Sequence, residues 1–190
     1  MTEGHLTDEE KKQLLRIARD TIAAYAREGV KSDLPGNLPA GLNQSGGAFV
    51  SLHCRGELRG CIGTFTGEGP LAETVRAMAL AAGWEDPRFP PLQESELQGL
   101  EIEISVLSPL HKISDLNEIK VGVHGLYVTK GGRQGVLLPQ VAVEQGWDRD
   151  QFLSYTCRKA GLAPDAWTRG GLTLEVFTAE IFGEPMKDEG

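Results

Sequence analysis

Two periodicities in the pattern of apolar and polar residues divide the chain into helices and strands. Apolar residues recur at helical spacing from Leu14 to Ala26, after a capping box at Thr7 and Glu10, and Gly29 is expected to end this helix. Strict alternation predicts strands with one buried face. The same reasoning predicts helices over 70–83 and 148–161, and strands over 48–54, 58–62, 100–106, 126–130, 135–138 and 172–182. Strands joined by hairpins and interrupted by helices indicate an α+β fold with mainly antiparallel sheets.

The first two strands are expected to form a hairpin around Arg55-Gly56-Glu57. A three-residue loop sets Cys54 opposite Leu58, which places the apolar residues of both strands on one face. A two-residue loop would mix apolar and polar residues on both faces, because a slip of one residue inverts the whole pattern. The alternation therefore predicts the three-residue loop.

The polar face of this hairpin is a candidate reactive site. The predicted register sets Arg59 opposite His53 and Cys61 opposite Ser51, so that His53 and Cys61 are diagonal neighbours. Positive charge stabilises a thiolate over a thiol, and a cysteine near Arg and His is therefore a candidate nucleophile. Gly60 permits close approach by a ligand or a neighbouring chain. The alternative, which residue type alone favours, is that Cys61 is a small buried hydrophobe covered by the stem of Arg59.

Other polar residues are weaker candidates for proton transfer or ligand binding. His124 lies in a tight Val-His-Gly connection that could direct its imidazole into a cleft. Glu144 is expected near the start of a short helix and Lys159 near a helix C-terminus, where the helix dipole alone favours each charge. Glu101 and Glu103 share one face of a strand, which is more typical of a solvated face than of paired catalytic carboxylates.

Composition and charge exclude several classes of protein. The chain has 190 residues, enough for one domain, and a formal net charge of −8. This acidic balance disfavours nucleic-acid binding by phosphate neutralisation. No apolar run approaches the ~20 residues of a membrane span, and no signal peptide is visible. Three cysteines without a leader indicate reduced thiols and a cytoplasmic location.

The sequence contains no recognisable cofactor or metal motif. Cys54 and Cys61 are expected on opposite faces of the hairpin, and Cys157 lies on a distant helix. No Cys-x-x-Cys or His-x-x-x-His spacing occurs, so a protein-bound metal is disfavoured, although a Cys/His/Glu site assembled by the fold stays open. Residues 131–135 lack the dinucleotide-binding pattern and are expected to form a hairpin turn.

The hexad Leu58-Arg59-Gly60-Cys61-Ile62-Gly63 resembles the signature of the AMMECR-type domain family. Further segments agree with the family in order along the chain: Gly47-Ala48-Phe49-Val50-Ser51-Leu52, Asp86-Pro87-Arg88-Phe89, Glu103-Ile104-Ser105-Val106-Leu107-Ser108-Pro109, His124-Gly125-Leu126, Leu137-Leu138-Pro139-Gln140-Val141 and Cys157-Arg158-Lys159-Ala160-Gly161-Leu162. The ordered series is specific although each segment alone is weak. It predicts one AMMECR-type domain over residues 7–183, with flexible tails at residues 1–6 and 184–190.

This resemblance implies an α+β fold of two unequal lobes, with the signature hairpin beside a cleft. It also implies a genomic association, the AmmeMemoRadiSam set, with a Memo-type protein similar to metal-dependent dioxygenases and with a radical S-adenosylmethionine enzyme. The resemblance implies no defined reaction or cofactor. The residues that match family motifs by position are Arg59, Gly60, Cys61, Asp86, Arg88 and Lys159.

Together these observations predict a cytosolic protein with a Cys61-centred cleft that binds or modifies a small anionic or electrophilic ligand. The predicted roles are nucleophile or thiol carrier for Cys61, thiolate stabilisation or anion binding for Arg59 and Lys159, and proton handling for His53, His124 or Glu144. On the acidic background, an anion site would need Arg59, Arg88 and Lys159 to form a local positive pocket. The alternative is a non-catalytic adaptor for partner proteins or RNA. Both a homodimer and the absence of any catalysis stay open.

Overall fold

The computed structural model describes residues 5–184, which form two compact units. The first unit comprises residues 5–107 and 180–184, and the second comprises Ser108–Ala179. The helices are α1 (Asp8–Glu28), α2 (Ala40–Asn43), α3 (Leu71–Trp84), α4 (Pro139–Gln145) and α5 (Arg149–Lys159). The strands are β1 (Ala48–Cys54), β2 (Glu57–Thr64), β3 (Leu100–Leu107), β4 (His111–Ile113), β5 (Gly125–Lys130), β6 (Arg133–Leu137), β7 (Thr173–Phe177) and β8 (Ala179–Gly183). Short 3-10 helices span Glu94–Gly99, Leu116–Glu118 and Ala166–Thr168. Helices with two antiparallel four-stranded sheets confirm the predicted α+β class.

The first unit is a sheet in the order β2-β1-β3-β8, with helices packed on its apolar side. Val50, Leu52, Ile102 and Ile104 lie on that side and are completely or almost completely buried. Helix α3 packs against β1 and β2, and α1 packs against α3 and β3. Helix α1 has the predicted boundaries, because Thr7 forms the capping box and Gly29 adopts the left-handed conformation that ends the helix.

The turn of the β1–β2 hairpin differs from the prediction. The loop has two residues, Arg55-Gly56, and Cys54 pairs with Glu57, so the predicted pairing of Cys54 with Leu58 is wrong. Both loop residues have positive φ, 55° and 78°. Type I′ turns need positive φ at both central residues, and their twist matches that of the flanking strands. The backbone geometry of the turn therefore determines the loop length. The alternation of apolar and polar residues contains no information on that geometry.

A β-bulge then restores the predicted register further along the hairpin. The pairing shifts at His53, which lies opposite Leu58, and Arg59 is the extra residue of the bulge. The prediction that Arg59 lies opposite His53 is therefore wrong. Beyond the bulge, Cys61 pairs with Ser51 as predicted. The extra residue on β2 compensates for the residue that the shorter loop lacks, so both faces keep the predicted composition there.

The second unit is a sheet in the order β4-β7-β5-β6, on which α4 and α5 pack. Its core includes the fully buried Phe152, Leu153, Leu126 and Val128. Asp148 forms a capping box at the start of α5, as the sequence predicts. The β5–β6 turn consists of two glycines only, Gly131-Gly132, both with positive φ.

The last predicted strand, over residues 172–182, is two strands in two different sheets. Strand β7 belongs to the second unit's sheet and β8 to the first unit's sheet. Thr178 separates them: its carbonyl accepts the backbone N–H of Ser108, and its own N–H donates to the Ser108 hydroxyl. The apolar alternation shifts phase next to this break, because the adjacent Val176 and Phe177 are both buried. The prediction of one continuous strand did not take this shift into account.

The predicted flexible tails, residues 1–6 and 184–190, fall largely outside the described residues. Their described members have contacts: Leu6 is buried, and its N–H donates to Glu180. Glu184 accepts hydrogen bonds from the guanidinium of Arg19. Among residues 5–184, none of the helices has the length and apolar character that a membrane crossing needs.

Candidate functional site

Cys61 lies on β2, an edge strand of the first sheet. On the outer edge of β2, the backbone of Cys61 is hydrogen-bonded to side chains instead of to another strand. The backbone N–H of Cys61 donates to Oδ2 of Asp86 at 2.9 Å, and Nη2 of Arg88 donates to the Cys61 carbonyl at 3.4 Å. Both backbone groups of Cys61 therefore point away from β1. It follows that the backbones of Cys61 and Ser51 do not hydrogen-bond to each other. In an antiparallel sheet, opposing side chains lie closest in pairs of this kind.

This pairing brings a hydroxyl to the thiol. Oγ of Ser51 donates a hydrogen bond to Sγ of Cys61 at 3.2 Å. Both residues are half-buried, so Cys61 has a fixed donor at Sγ and is not enclosed in the core. A donor aimed at sulfur stabilises the thiolate, which is the nucleophilic form of cysteine.

Asp86 and Arg88 form a tight ion pair beside the thiol. Oδ1 of Asp86 accepts from the backbone N–H and from Nε of Arg88, at 3.1 and 3.0 Å, and Oδ2 accepts from Nη2 at 2.7 Å. The side-chain bonds from Arg88 hold the pKa of Asp86 well below its usual range, and Asp86 raises the pKa of Arg88. The Asp86 side chain is 2% exposed but that of Arg88 is 55% exposed. The carboxylate of the pair is therefore buried, whereas its guanidinium is accessible to solvent.

Arg59 is paired with a residue that the sequence analysis did not single out. Its Nε and Nη2 donate to the two carboxylate oxygens of Glu96 at 2.6 and 3.1 Å, and this pairing lowers the pKa of Glu96. The Arg59 side chain is 13% exposed, and Nη1 has no hydrogen-bond partner within the described chain. The guanidinium groups of Arg59 and Arg88 both lie over the ring of Phe89, 6.0 and 5.4 Å from its centroid. Glu96 therefore already balances the charge of Arg59.

The glycines of the signature are needed for packing within the protein. A Cβ on Gly60 would clash with the carbonyl oxygen of Ala82 on α3. A Cβ on Gly63 would clash with the ring of Phe49 on β1. Gly60, predicted as a ligand-binding residue, thus allows β2 to approach α3 closely.

The polar side of the first sheet extends from Cys61 onto β3. Glu103 lies opposite Ser51, so Cys61, Ser51 and Glu103 form one row across three strands. Glu101 lies opposite His53 in a parallel row. All five side chains are half-buried, and the glutamates do not lie on a fully solvated face.

Three predicted site residues belong to the second unit. Nδ1 of the half-buried His124 accepts the backbone N–H of Lys120 at 3.2 Å. Glu144 is exposed and lies near the end of α4, so its predicted place near the helix start is wrong and the helix dipole does not favour its charge there. Lys159 is the exposed last residue of α5, as predicted.

The remaining cysteines differ from Cys61 in their surroundings. Cys157 is buried in α5, and burial raises the pKa of its thiol. Cys54 is half-buried, and the alternation along β1 places its side chain on the apolar side of the sheet. Within residues 5–184, no three His, Cys, Asp or Glu side chains are grouped so that they could hold a metal ion.

Comparisons with known proteins agree on one family. The family model AMMECR1 matches residues 15–182. A protein of Thermofilum pendens is 42% identical over 95% of this chain and 92% of its own length, and protein NEQ441 of Nanoarchaeum equitans is 42% identical over 90% and 98%. The crystal structure of protein PH0010 from Pyrococcus horikoshii, also 42% identical, superimposes with a TM-score of 0.85 over 94% of this chain and 93% of that one. The chain therefore belongs to the AMMECR1 family.

Proposed function

We propose that Cys61 is the reactive residue of this protein and forms a covalent bond with an electrophilic carbon of a small molecule. The observation that carries the proposal is the hydrogen bond from Ser51 to Sγ, on a half-buried thiol whose backbone is fixed by Asp86 and Arg88. A thiol that only fills space in a core needs neither a donor aimed at sulfur nor partial access to solvent.

The chemistry of such a step is simple. The thiol proton passes to water, the thiolate forms an S–C bond, and the leaving group of the electrophile departs with the electron pair of the bond that breaks. The Ser51 hydroxyl stabilises the thiolate before attack. The exposed guanidinium of Arg88 can donate to an oxygen on the electrophile, whereas Arg59 is engaged by Glu96.

On the family resemblance alone, the proposal includes a Memo-type protein and a radical S-adenosylmethionine enzyme as partners.

The test is the alkylation rate of each cysteine in one sample. The native protein is treated with iodoacetamide at pH 7, and peptide mass spectrometry follows modification of the three thiols separately. Cys54 is the internal control, because it is half-buried like Cys61 but lies on the other side of the hairpin. We expect Cys61 to react about tenfold faster than Cys54. A Cys61 rate no higher than that of free cysteine would contradict the proposal.

A non-catalytic adaptor is the second candidate, and an apolar patch in the second unit favours it. Val121, Val123 and Val143 are 37%, 51% and 61% exposed. A Cβ placed on Gly122, which lies between Val121 and Val123 in the chain, would be 3.1 Å from Val143, so this segment passes close to Val143. Exposed apolar groups of this kind are typical of protein interfaces. Co-purification with a Memo-type partner distinguishes the candidates: an adaptor loses the partner with Val143→Glu and keeps it with Cys61→Ala.

A further inference from the structure

The charge of the chain is unevenly distributed between its two units. The second unit, Ser108–Ala179, contains eight lysines and arginines and seven aspartates and glutamates, so its formal charge is +1. The net charge of −8 therefore comes entirely from the rest of the chain. An acidic average over the whole sequence does not describe the surface of the second unit.

Four cations of the second unit come together where α5 ends. Arg158 and Lys159 are the last two residues of this helix. Arg133 reaches the same end of the helix, because its Nη1 donates to the Gly161 carbonyl at 2.6 Å. Lys130 lies directly opposite Arg133 across the two-residue β5–β6 turn. We call these four cationic residues the basic patch.

No described carboxylate balances the charge of the basic patch. None of its four side chains forms an ion pair with any residue from 5 to 184, and Asp165, the carboxylate that follows α5, is held by Arg169. Lys130 and Arg133 donate to backbone carbonyls, which restrain both side chains and leave their charges uncompensated. Like charges directly opposite on paired strands are destabilising. The pairing of Lys130 with Arg133 therefore costs free energy that an anionic partner would recover.

Arg158 also belongs to a stack of planar groups. Trp147 packs against the core of the second unit, and its ring stacks on that of Tyr155, with centroids 4.0 Å apart and planes inclined by 6°. The guanidinium of Arg158 lies over the Tyr155 ring, 5.1 Å from its centroid. Tyr155 is 39% exposed and Arg158 is also exposed. Core packing thus supports a planar cation at the surface, and its N–H groups have no partner among the described residues.

We propose that the basic patch and Tyr155 bind a single-stranded segment of RNA. Phosphates of the strand contact the patch, and one base stacks on the guanidinium of Arg158. Bases stack on guanidinium planes, whereas the carboxylates of an acidic protein do not use such a stack. The hydroxyl of Tyr155 has no hydrogen-bond partner among the described residues, and it is available to the 2′-hydroxyl that DNA lacks. This binding is independent of the chemistry proposed for Cys61.

The test is the fluorescence anisotropy of a labelled oligoadenylate RNA of about 12 nucleotides, titrated with the full chain. We expect saturable binding that weakens with salt, with a log–log slope of about −2, because about three phosphate contacts give that slope for a single strand. The same strand without bases is expected to bind about tenfold more weakly, since it cannot stack. The DNA strand of the same sequence is expected to bind about fivefold more weakly, since it lacks the 2′-hydroxyl.

Matched variants assign the binding to the basic patch. Arg158→Gln is expected to weaken RNA binding about tenfold and to make the RNA and the strand without bases bind equally. Lys159→Gln is expected to reduce the salt slope by about 0.7, which corresponds to one phosphate contact. Arg16→Gln is the control, because Arg16 is an exposed arginine of α1 that forms no ion pair with a described residue. It is expected to change neither quantity.

Several results would overturn the inference. Absence of saturable RNA binding at low ionic strength contradicts it directly. Equal binding of the RNA and the strand without bases by the wild type would show that the surface responds to charge alone, and equal binding of the DNA would remove the assignment to RNA. Displacement of the RNA by the same charge concentration of polyglutamate would identify an acidic protein as the partner. Equal losses in Arg158→Gln and Arg16→Gln would show that the basic patch is not the binding surface.

Discussion

Asp86 takes the place of a neighbouring strand at Cys61, because its buried carboxylate accepts the backbone N–H that the free edge of β2 presents. Arg88 completes the replacement by donating to the carbonyl of the same residue. An edge strand with unpaired backbone groups invites pairing with another chain, and an ion pair at the edge prevents it. The same two side chains thus protect the sheet edge and fix the backbone of the candidate nucleophile.

The first prediction concerns the stability that this ion pair provides. Asp86→Asn keeps the size of the side chain and loses the charge, and we expect it to lower the free energy of unfolding by about 2 kcal/mol at pH 7. The folded state depresses the pKa of Asp86, so its contribution is present above the pKa of an unfolded aspartate and is lost as the pH falls through the folded value. Urea unfolding should therefore show the difference from wild type narrowing below about pH 4.

Asp165→Asn is the matched control for this prediction. Asp165 also pairs with an arginine close in sequence, Arg169, but both side chains are more than half exposed. Exposed pairs contribute little, and we expect a change within about 0.5 kcal/mol at pH 7. A stability difference for Asp86→Asn that is the same at pH 3 and pH 7 would show that the charge is not the cause.

The second prediction concerns the close approach of β2 to α3. Gly60→Ala introduces a Cβ that clashes with the carbonyl oxygen of Ala82, a backbone atom that cannot move without the helix. We expect a loss of about 2–3 kcal/mol in the free energy of unfolding, as for other overpacked sites. Gly69→Ala is the control, since no atom lies within 4 Å of its Cβ position. Equal stability of the two variants in urea unfolding would contradict the packing role of Gly60.

Local sequence signals predicted those parts of the fold that depend on local chemistry. The side chains of Thr7 and Asp148 cap their helices as expected, because capping needs only residues a few positions apart. The alternation in β1 and β2 predicted that Cys61 would share a face with Ser51 and His53. It failed at the turn, where positive φ at Arg55 and Gly56 determined a shorter loop and a bulge absorbed the difference.

Contacts between distant segments could not be predicted from one sequence. Glu96 pairs with Arg59 across 37 positions, from a short 3-10 helix. The local role of Glu96, a capping box with Gln93, gives no indication of this distant arginine. Asp86 was singled out only by the family resemblance, and its bond to the Cys61 backbone depends on how the segment after α3 returns to β2. Tertiary packing determines both contacts, and neither periodicity nor residue type encodes it.

The third prediction tests the pairing of Arg59. Glu96→Gln leaves a guanidinium that is 13% exposed without its counter-charge, and we expect a loss of about 2–3 kcal/mol in the free energy of unfolding. Glu94→Gln is the control from the same 3-10 helix. Glu94 pairs with Arg27 at 3.4 Å, but both side chains are more than half exposed, so a change within about 0.5 kcal/mol is expected. If both variants lose the same free energy of unfolding in urea, the Arg59–Glu96 pair stabilises the protein no more than the exposed Arg27–Glu94 pair does.

The fourth prediction tests the contact between Ser51 and Cys61. Ser51→Ala removes the hydroxyl that donates to Sγ, and the thiolate then loses a hydrogen bond worth about 1–1.5 kcal/mol. We expect the rate of Cys61 alkylation by iodoacetamide at pH 7 to fall by about five- to tenfold. Ser51→Thr keeps a hydroxyl at this position and should retain most of the rate. Cys54 in the same samples reports any general loosening of the hairpin, and its rate should not change. A Cys61 rate that is unaffected by Ser51→Ala, or one that rises together with the Cys54 rate, would show that Ser51 does not activate the thiol.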